Sequence, residues 1–130
     1  MDTKSMIRDF YAALSEGRLD VIEEVVAEDF IEHEALPDID DGRDGLRQLF
    51  QSMHQAFADF SITIEQMVAE GDKVFALVTM QGIHRAEFMG IPSKGKPMMV
   101  PVADVMRIDG GRIVEHWGVM DSGVLMQQLL

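Results

Sequence analysis

Cysteine is absent from the chain, and that absence excludes disulfides, thiolate metal sites and cysteine nucleophiles, leaving redox chemistry silent about the compartment. Basic residues are scarce, 11 against 23 acidic ones, for a formal net charge of −12. Such a surface repels a phosphate backbone, and no basic patch or arginine-rich helix is present to overcome the repulsion, which argues against nucleic acid as a partner. No apolar run approaches the ~18 residues needed to cross a bilayer. The opening MDTKSMIRDFYAAL lacks the charged start, apolar centre and small-residue cleavage site of a secretory signal. These absences lead us to expect a cytoplasmic protein with no membrane partner. Repeats, low-complexity tracts and linkers are missing too, so the 130 residues are expected to form one domain, 1–130, long enough for a core and too short for two.

What the chain does contain is strongly periodic. Met6, Ile7, Phe10, Tyr11 and Leu14 recur at helical spacing and Gly17 follows as a stop. Asp20 with Glu23 three residues on has the form of a capping box, opening a short second helix with Val21, Ile22, Val25 and Val26 on its apolar side. Phe30, Ile31 and His33 suggest a short extended piece, Pro37 to Gly42 a loop, and Leu46, Leu49, Phe50, Met53 and Phe57 a third helix. His54 lies at the edge of that stripe and is expected to be partly buried. Ten acids fall between Glu23 and Asp44 with Arg43 as the only base among them. This run spans a helix end and a loop, so it predicts a solvated face rather than convergent cation ligands.

From Asp59 the period changes to two. Phe60, Ile62 and Ile64 alternate with polar residues, Glu70-Gly71-Asp72 turns the chain into Val74 to His84, and a turn-rich stretch from Gly90 to Pro97 leads into Met98 to Arg107. Asp109-Gly110-Gly111 then divides two apolar runs as a three-residue hairpin loop would. That register sets Ile108 opposite Arg112, Met106 opposite Val114, Asp104 opposite His116 and Val102 opposite Gly118, with even-numbered residues sharing one face. Asp104 is unusual in an apolar strand, because a buried carboxylate without a partner is costly. Opposed Cβ atoms ~4.5–5.5 Å apart would bring His116 within reach of it. Asp121 and Ser122 can cap a last helix from Val124 to Leu130.

Helices followed by long antiparallel strands describe an α+β fold, a curved antiparallel sheet with helices packed on one face and a pocket enclosed between them. The even-numbered face would supply Val102, Met106, Val114 and Met120 around Asp104 and His116, with Gly118 leaving room. An apolar pocket with a few convergent polar groups suits a small molecule, and the 11 methionines suit an irregular ligand as well as an ordinary core. His33 and His84 are further candidates for the pocket. A tetrahedral metal site from His33, His84 and His116 lacks the short ligand spacing such sites favour, and no metal is expected.

The order of elements, with GIHRAEFMGIPSKGKP followed by DVMRIDGGRIVEHWGVMD, resembles the SnoaL-like polyketide cyclase family of the NTF2-like superfamily. The resemblance spans nearly the whole chain. Its most specific parts are His84 before Phe88 to Pro92 and the Arg-Ile to Gly-Arg-Ile-Val-Glu-His-Trp hairpin. It implies an NTF2-like cone, a curved sheet with three helices on its concave side around a deep cavity, and usually a homodimer. In the family's cyclases a pocket aspartate removes a proton beside a carbonyl and a histidine assists an aldol closure, with no cofactor. Aligned through the Arg-Ile and Gly-Arg-Ile anchors, the position of that aspartate is Gly118 and that of the histidine is Asp104. Either the carboxylate has moved to Asp104 with His116 as partner, or Asp121 bends back to the pocket, or the cyclase chemistry is gone.

Two functions follow. One is a cofactor-independent cyclase or isomerase acting on an apolar carbonyl or polyketide-like substrate, with Asp104 and His116 as the acid-base pair and Val102, Met106, Val114, Gly118, Met120, His33, His84 and Asp121 around the ligand. Hydrolysis of a strained ring fits the same pair. The other is a ligand-binding or dimeric assembly module that leaves its ligand unchanged.

Overall fold

In the computed structural model, residues 2–35 and 39–130 are described; Leu36 and the first two residues of the expected loop, Pro37 and Asp38, lie outside the described residues. The chain order is α1 (Thr3–Glu16), α2 (Val21–Val25), β1 (Val26–Glu32), α3 (Arg43–Ala56), β2 (Phe57–Glu70), β3 (Lys73–His84), β4 (Pro97–Asp109), β5 (Arg112–Met120) and α4 (Ser122–Leu129). This is the α+β class that the change of period announces. Helix α1 starts where the Asp2 carboxylate accepts from the Ser5 N–H at 2.8 Å, and it ends at Gly17, whose φ of 79° is the left-handed cap that glycine adopts without strain. Asp20 makes no capping bond. Instead Asp20 and Glu23 both pair with Arg47 on α3, so this acidic pair ties α2 to α3 rather than closing a capping box.

The sheet order is β1-β5-β4-β3-β2. Strands β2 to β5 run antiparallel as a meander. The short N-terminal strand β1 adds to the free edge of β5 in parallel, a connection open to it because α3 and three strands intervene in the chain. One face of the sheet carries Val74, Ala76, Val78, Met80, Val100, Val102 and Met106, all buried. Helices α1, α3 and α4 lie against that concave face and, with it, enclose a cavity. Phe10, Leu14, Phe50, Met53, Phe57 and Val78 are buried as the periodicity requires. Leu49 and Ile62 pack against this core but remain half-buried, and both also line the cavity. Among the described residues, no helix is long and apolar enough to cross a membrane.

The hairpin between β4 and β5 departs from the expected register. Gly110 and Gly111 both take positive φ, 60° and 77°, which is the requirement of a two-residue type I′ turn rather than a three-residue loop. Asp109 therefore pairs with Arg112 and Ile108 with Ile113. A bulge follows, after which Arg107 pairs with Glu115, Met106 with His116, Asp104 with Gly118 and Val102 with Met120. The shorter turn moves the register by one residue and the bulge moves it by one more. Since the side-chain period is two, both even-numbered sets still share a face, but Asp104 and His116 are diagonal rather than opposed. Val114, the extra residue of the bulge, leaves the concave face to Ile113, which is buried against the core.

Candidate functional site

The cavity has a volume of about 210 Å³ and is almost wholly apolar, with Phe10, Leu14, Phe50, Met80, Val102 and Met106 among its walls. Four polar side chains meet at one side of it. Asp104, on β4, is buried, and its two oxygens have different partners. Oδ2 accepts from the Tyr11 hydroxyl at 2.5 Å, and Oδ1 faces Nε2 of His116 at 2.7 Å. The other imidazole nitrogen, Nδ1, faces the Glu32 carboxylate at 2.6 and 2.7 Å. Each member comes from a different element: Tyr11 from α1, Asp104 from β4, His116 from β5 and Glu32 from the end of β1.

The local structure explains this convergence. Tyr11 stands four residues after Ile7, so it shares the inner face of α1 and is carried over the sheet. The parallel pairing of β1 with β5 sets Glu32 beside His116. Diagonal cross-strand neighbours are farther apart than opposed ones, at ~7–8 Å, and the imidazole bridges that gap by lying over Gly118. A Cβ at Gly118 would stand 2.7 Å from His116 Cε1 and 3.1 Å from Asp104 Oδ1. The glycine is thus the space through which the ring reaches the carboxylate.

Both ring nitrogens of His116 face carboxylate oxygens, and ionised carboxylates only accept hydrogen bonds, so the imidazolium, which donates from both nitrogens, is the form that fits. Burial alone would lower the histidine pKa. The hydrogen bonds and charges of Asp104 and Glu32 outweigh it and raise the pKa to about 10. Burial also pushes the Tyr11 phenol well above its ordinary value, and the Asp104 charge beside it adds to the effect. Tyr11, Asp104, His116 and Glu32 thus form one chain of hydrogen bonds, with an imidazolium between two carboxyl groups and a neutral phenol at its end. Chemically, such a chain can accept a proton at Asp104 and hold positive charge next to it.

The other candidates from the sequence are distributed differently. Val102, Met106, Gly118 and Met120 line the cavity with Asp104 and His116. Val114 is displaced by the bulge. His33 lies on the opposite face of the sheet: it is exposed, stacks on Trp117 with ring centroids 4.6 Å apart and bonds Glu115 at 2.7 Å. The Glu115 carboxyl is held below the usual range by His33 and by Arg107. His84 is buried against Phe57 and is not a cavity wall. Asp121 caps α4 by accepting from the Val124 N–H at 3.0 Å, while the neighbouring Ser122 reaches the cavity rim. His33, His84 and His116 therefore point to three separate places, and among the described residues no cluster of three or more histidines and carboxylates is arranged to hold a metal ion.

Sequence reasoning misses Glu32 and Tyr11. A signal for each exists. Phe30 is buried, and strand alternation then turns Glu32 inward and His33 outward. Tyr11 is the only tyrosine and falls inside an apolar helical stripe, where a phenol hydroxyl needs a partner.

The comparisons with known proteins agree with this architecture. No functionally curated protein matches the chain. Among solved structures, TsrD from Streptomyces laurentii is 27% identical, with 99% of this chain and 97% of that one covered and a TM-score of 0.90. IdmH from Streptomyces antibioticus, a candidate polyketide cyclase, is 28% identical, with 99% of each chain covered and a TM-score of 0.85. AclR from Streptomyces galilaeus, a candidate hydroxylase, is 25% identical over 97% of this chain and 93% of that one, with a TM-score of 0.86. The family model for SnoaL-like polyketide cyclases matches residues 5–129, the full span from the first turn of α1 to the end of α4, and the chain belongs to that family.

Proposed function

We propose that the protein is a cofactor-independent enzyme of the cyclase or isomerase type, and that its cavity holds an apolar, carbonyl-bearing, polyketide-like molecule with Asp104 as the general base. The observation that carries this reading is the position of the Asp104 carboxylate, buried in an apolar cavity and held between the Tyr11 hydroxyl and His116. In this site Asp104 takes a proton from the carbon beside a substrate carbonyl, and the electron pair of that C–H bond moves to the carbonyl oxygen as an enolate. The enolate carbon attacks a second carbonyl of the same molecule, forming the new C–C bond, and the resulting alkoxide recovers the proton. His116 keeps its charge throughout and steadies the carboxylate. Once Asp104 is protonated its demand for donors falls, and the Tyr11 hydroxyl can turn about its C–O bond toward the substrate oxyanion.

Gly118 supports the same reading. It stands where the resemblance places the family's aspartate, and the space it leaves is filled by the contact between His116 and a carboxylate on the facing strand. The base has crossed the ladder and kept its side of the cavity. The decisive experiment is Asp104→Asn, which preserves size but removes the base. Turnover of a converted substrate should fall by about 10²–10⁴-fold while binding persists. A ligand that binds the unaltered protein and is never changed, with no exchange of its α-hydrogens for solvent deuterium, would make the protein a binding module instead.

A further inference from the structure

Hydrogen-bond accounting at the cavity wall narrows the ligand. The buried polar group has three donors, the Tyr11 hydroxyl and the two ring N–H groups of His116, and each is already given to a carboxylate. What is left over is acceptor capacity: the second lone pairs of the Asp104 and Glu32 oxygens and the lone pairs of the Tyr11 oxygen. Charge points the same way. One imidazolium stands between two carboxylates, Glu34 lies on the cavity lining beyond them, and among the described lining residues there is no lysine or arginine. The one other side-chain hydroxyl on the lining belongs to Ser122, which is exposed at the rim. A carboxylate or phosphate placed here would meet net negative charge with no free donor. An ether would find nothing to bond, and a carbonyl oxygen would gain a donor only when the Tyr11 hydroxyl turns away from Asp104. A hydroxyl group would find a charged acceptor within an apolar wall, where such a bond is strongest.

We infer that the cavity selects an uncharged apolar molecule carrying a phenolic or enolic hydroxyl, which donates to the Asp104 carboxylate, and that it rejects free acids and phosphates. This rests on the reading of the cavity as the ligand site and gives that ligand its polar handle. It also bears on the chemistry, because removing the O–H proton of an enol yields the same enolate as removing the C–H proton of its keto form, with Asp104 as acceptor in both cases.

Three probes of one ring system, namely naphthol, methoxynaphthalene and naphthoate substituted at the same position, test the inference without any need for turnover. Binding to the unaltered protein is followed at neutral pH by the NMR signal of the His116 ring, one of only four histidines. Naphthol should bind about tenfold or more tightly than its methyl ether, the worth of one hydrogen bond to a charged group, and naphthoate should bind most weakly. In Asp104→Asn the advantage of naphthol over the ether should shrink. A ranking in which naphthoate or the ether equals or exceeds naphthol overturns the inference while leaving the cavity a ligand site. Failure of all three probes to move the His116 signal overturns the ligand-site reading and this inference with it. The ranking on the unaltered protein decides the matter even if the variant does not fold.

Discussion

Gly118 lies directly across the ladder from Asp104, and the two are related by what the glycine omits: the imidazole of His116 occupies the space a Cβ would need and so reaches the carboxylate. The register of the hairpin alone would leave Asp104 and His116 as diagonal neighbours without contact. The missing side chain makes them partners.

Gly118→Ala should therefore break the site without breaking the fold. The added Cβ, 2.7 Å from His116 Cε1, meets a side chain rather than backbone, and the ring is the part that can swing away. Its bond to Asp104 would be lost, and the His116 pKa should fall from about 10 toward its ordinary value of ~6.5. An NMR titration of the ring proton reads this directly. An unchanged pKa would show that the bond survives and that the glycine is not what permits it.

Stability should depend on pH through the same histidine. Its pKa is raised on folding, from 6.5 to about 10, so the folded chain binds the proton more tightly than the unfolded one. The stabilisation is fully present below the unfolded pKa of ~6.5 and is lost progressively as pH rises through ~10. Urea midpoints should fall between pH ~7 and ~10, and His116→Gln should flatten that decline. A decline of equal size in the variant would assign it to other groups.

How far the sequence reveals this site follows from what pattern can and cannot encode. Alternation in β4 and β5 identifies the concave face, and it does so despite a mistaken register, because the turn and the bulge together shift the pairing by two residues and parity survives. The bulge itself has no signature in two adjacent β-branched residues such as Ile113-Val114, so the two exchange roles unannounced. Glu32 and Tyr11 reach Asp104 and His116 from elements distant in the chain, through a parallel edge strand and a helix crossing, and no local spacing records either approach. Leu49 and Ile62 show the converse limit. Their periodicity marks them as core, and only the three-dimensional arrangement shows that they also line a cavity.

His84 offers a test of burial alone. It is 1% exposed, its ring stacks on Phe57 at 5.3 Å, and neither ring nitrogen has a hydrogen-bond partner. An unsatisfied buried polar group costs ~1–3 kcal/mol, so His84→Met, apolar and adaptable in shape, should raise the unfolding free energy by ~1 kcal/mol, in the range of improvements available at such sites. A loss of stability would show that the nitrogens are satisfied in solution by water held inside the protein.

The convex face of the sheet leads to the last expectation, a homodimer. Phe75, Val105 and Trp117 lie side by side across β3, β4 and β5, and His33 extends the row by stacking on Trp117. Phe75 is 43% exposed, Ile83 40% and Met99 59%, and all three belong to the odd-numbered set that faces away from the cavity. Large apolar side chains gathered on one face, with an aromatic anchor among them, are characteristic of an interface. A two-fold axis over this face would bury the row against its own copy, leaving both cavities open on the far side. Sedimentation should then report a dimer at micromolar concentration. Val105→Glu, which places a charge at the centre of the row, should shift the protein to monomer while leaving the His116 titration unchanged, because the substituted side chain is on the other side of the sheet. A monomer in the unaltered protein would mean that this face is covered by something other than a second copy of the chain.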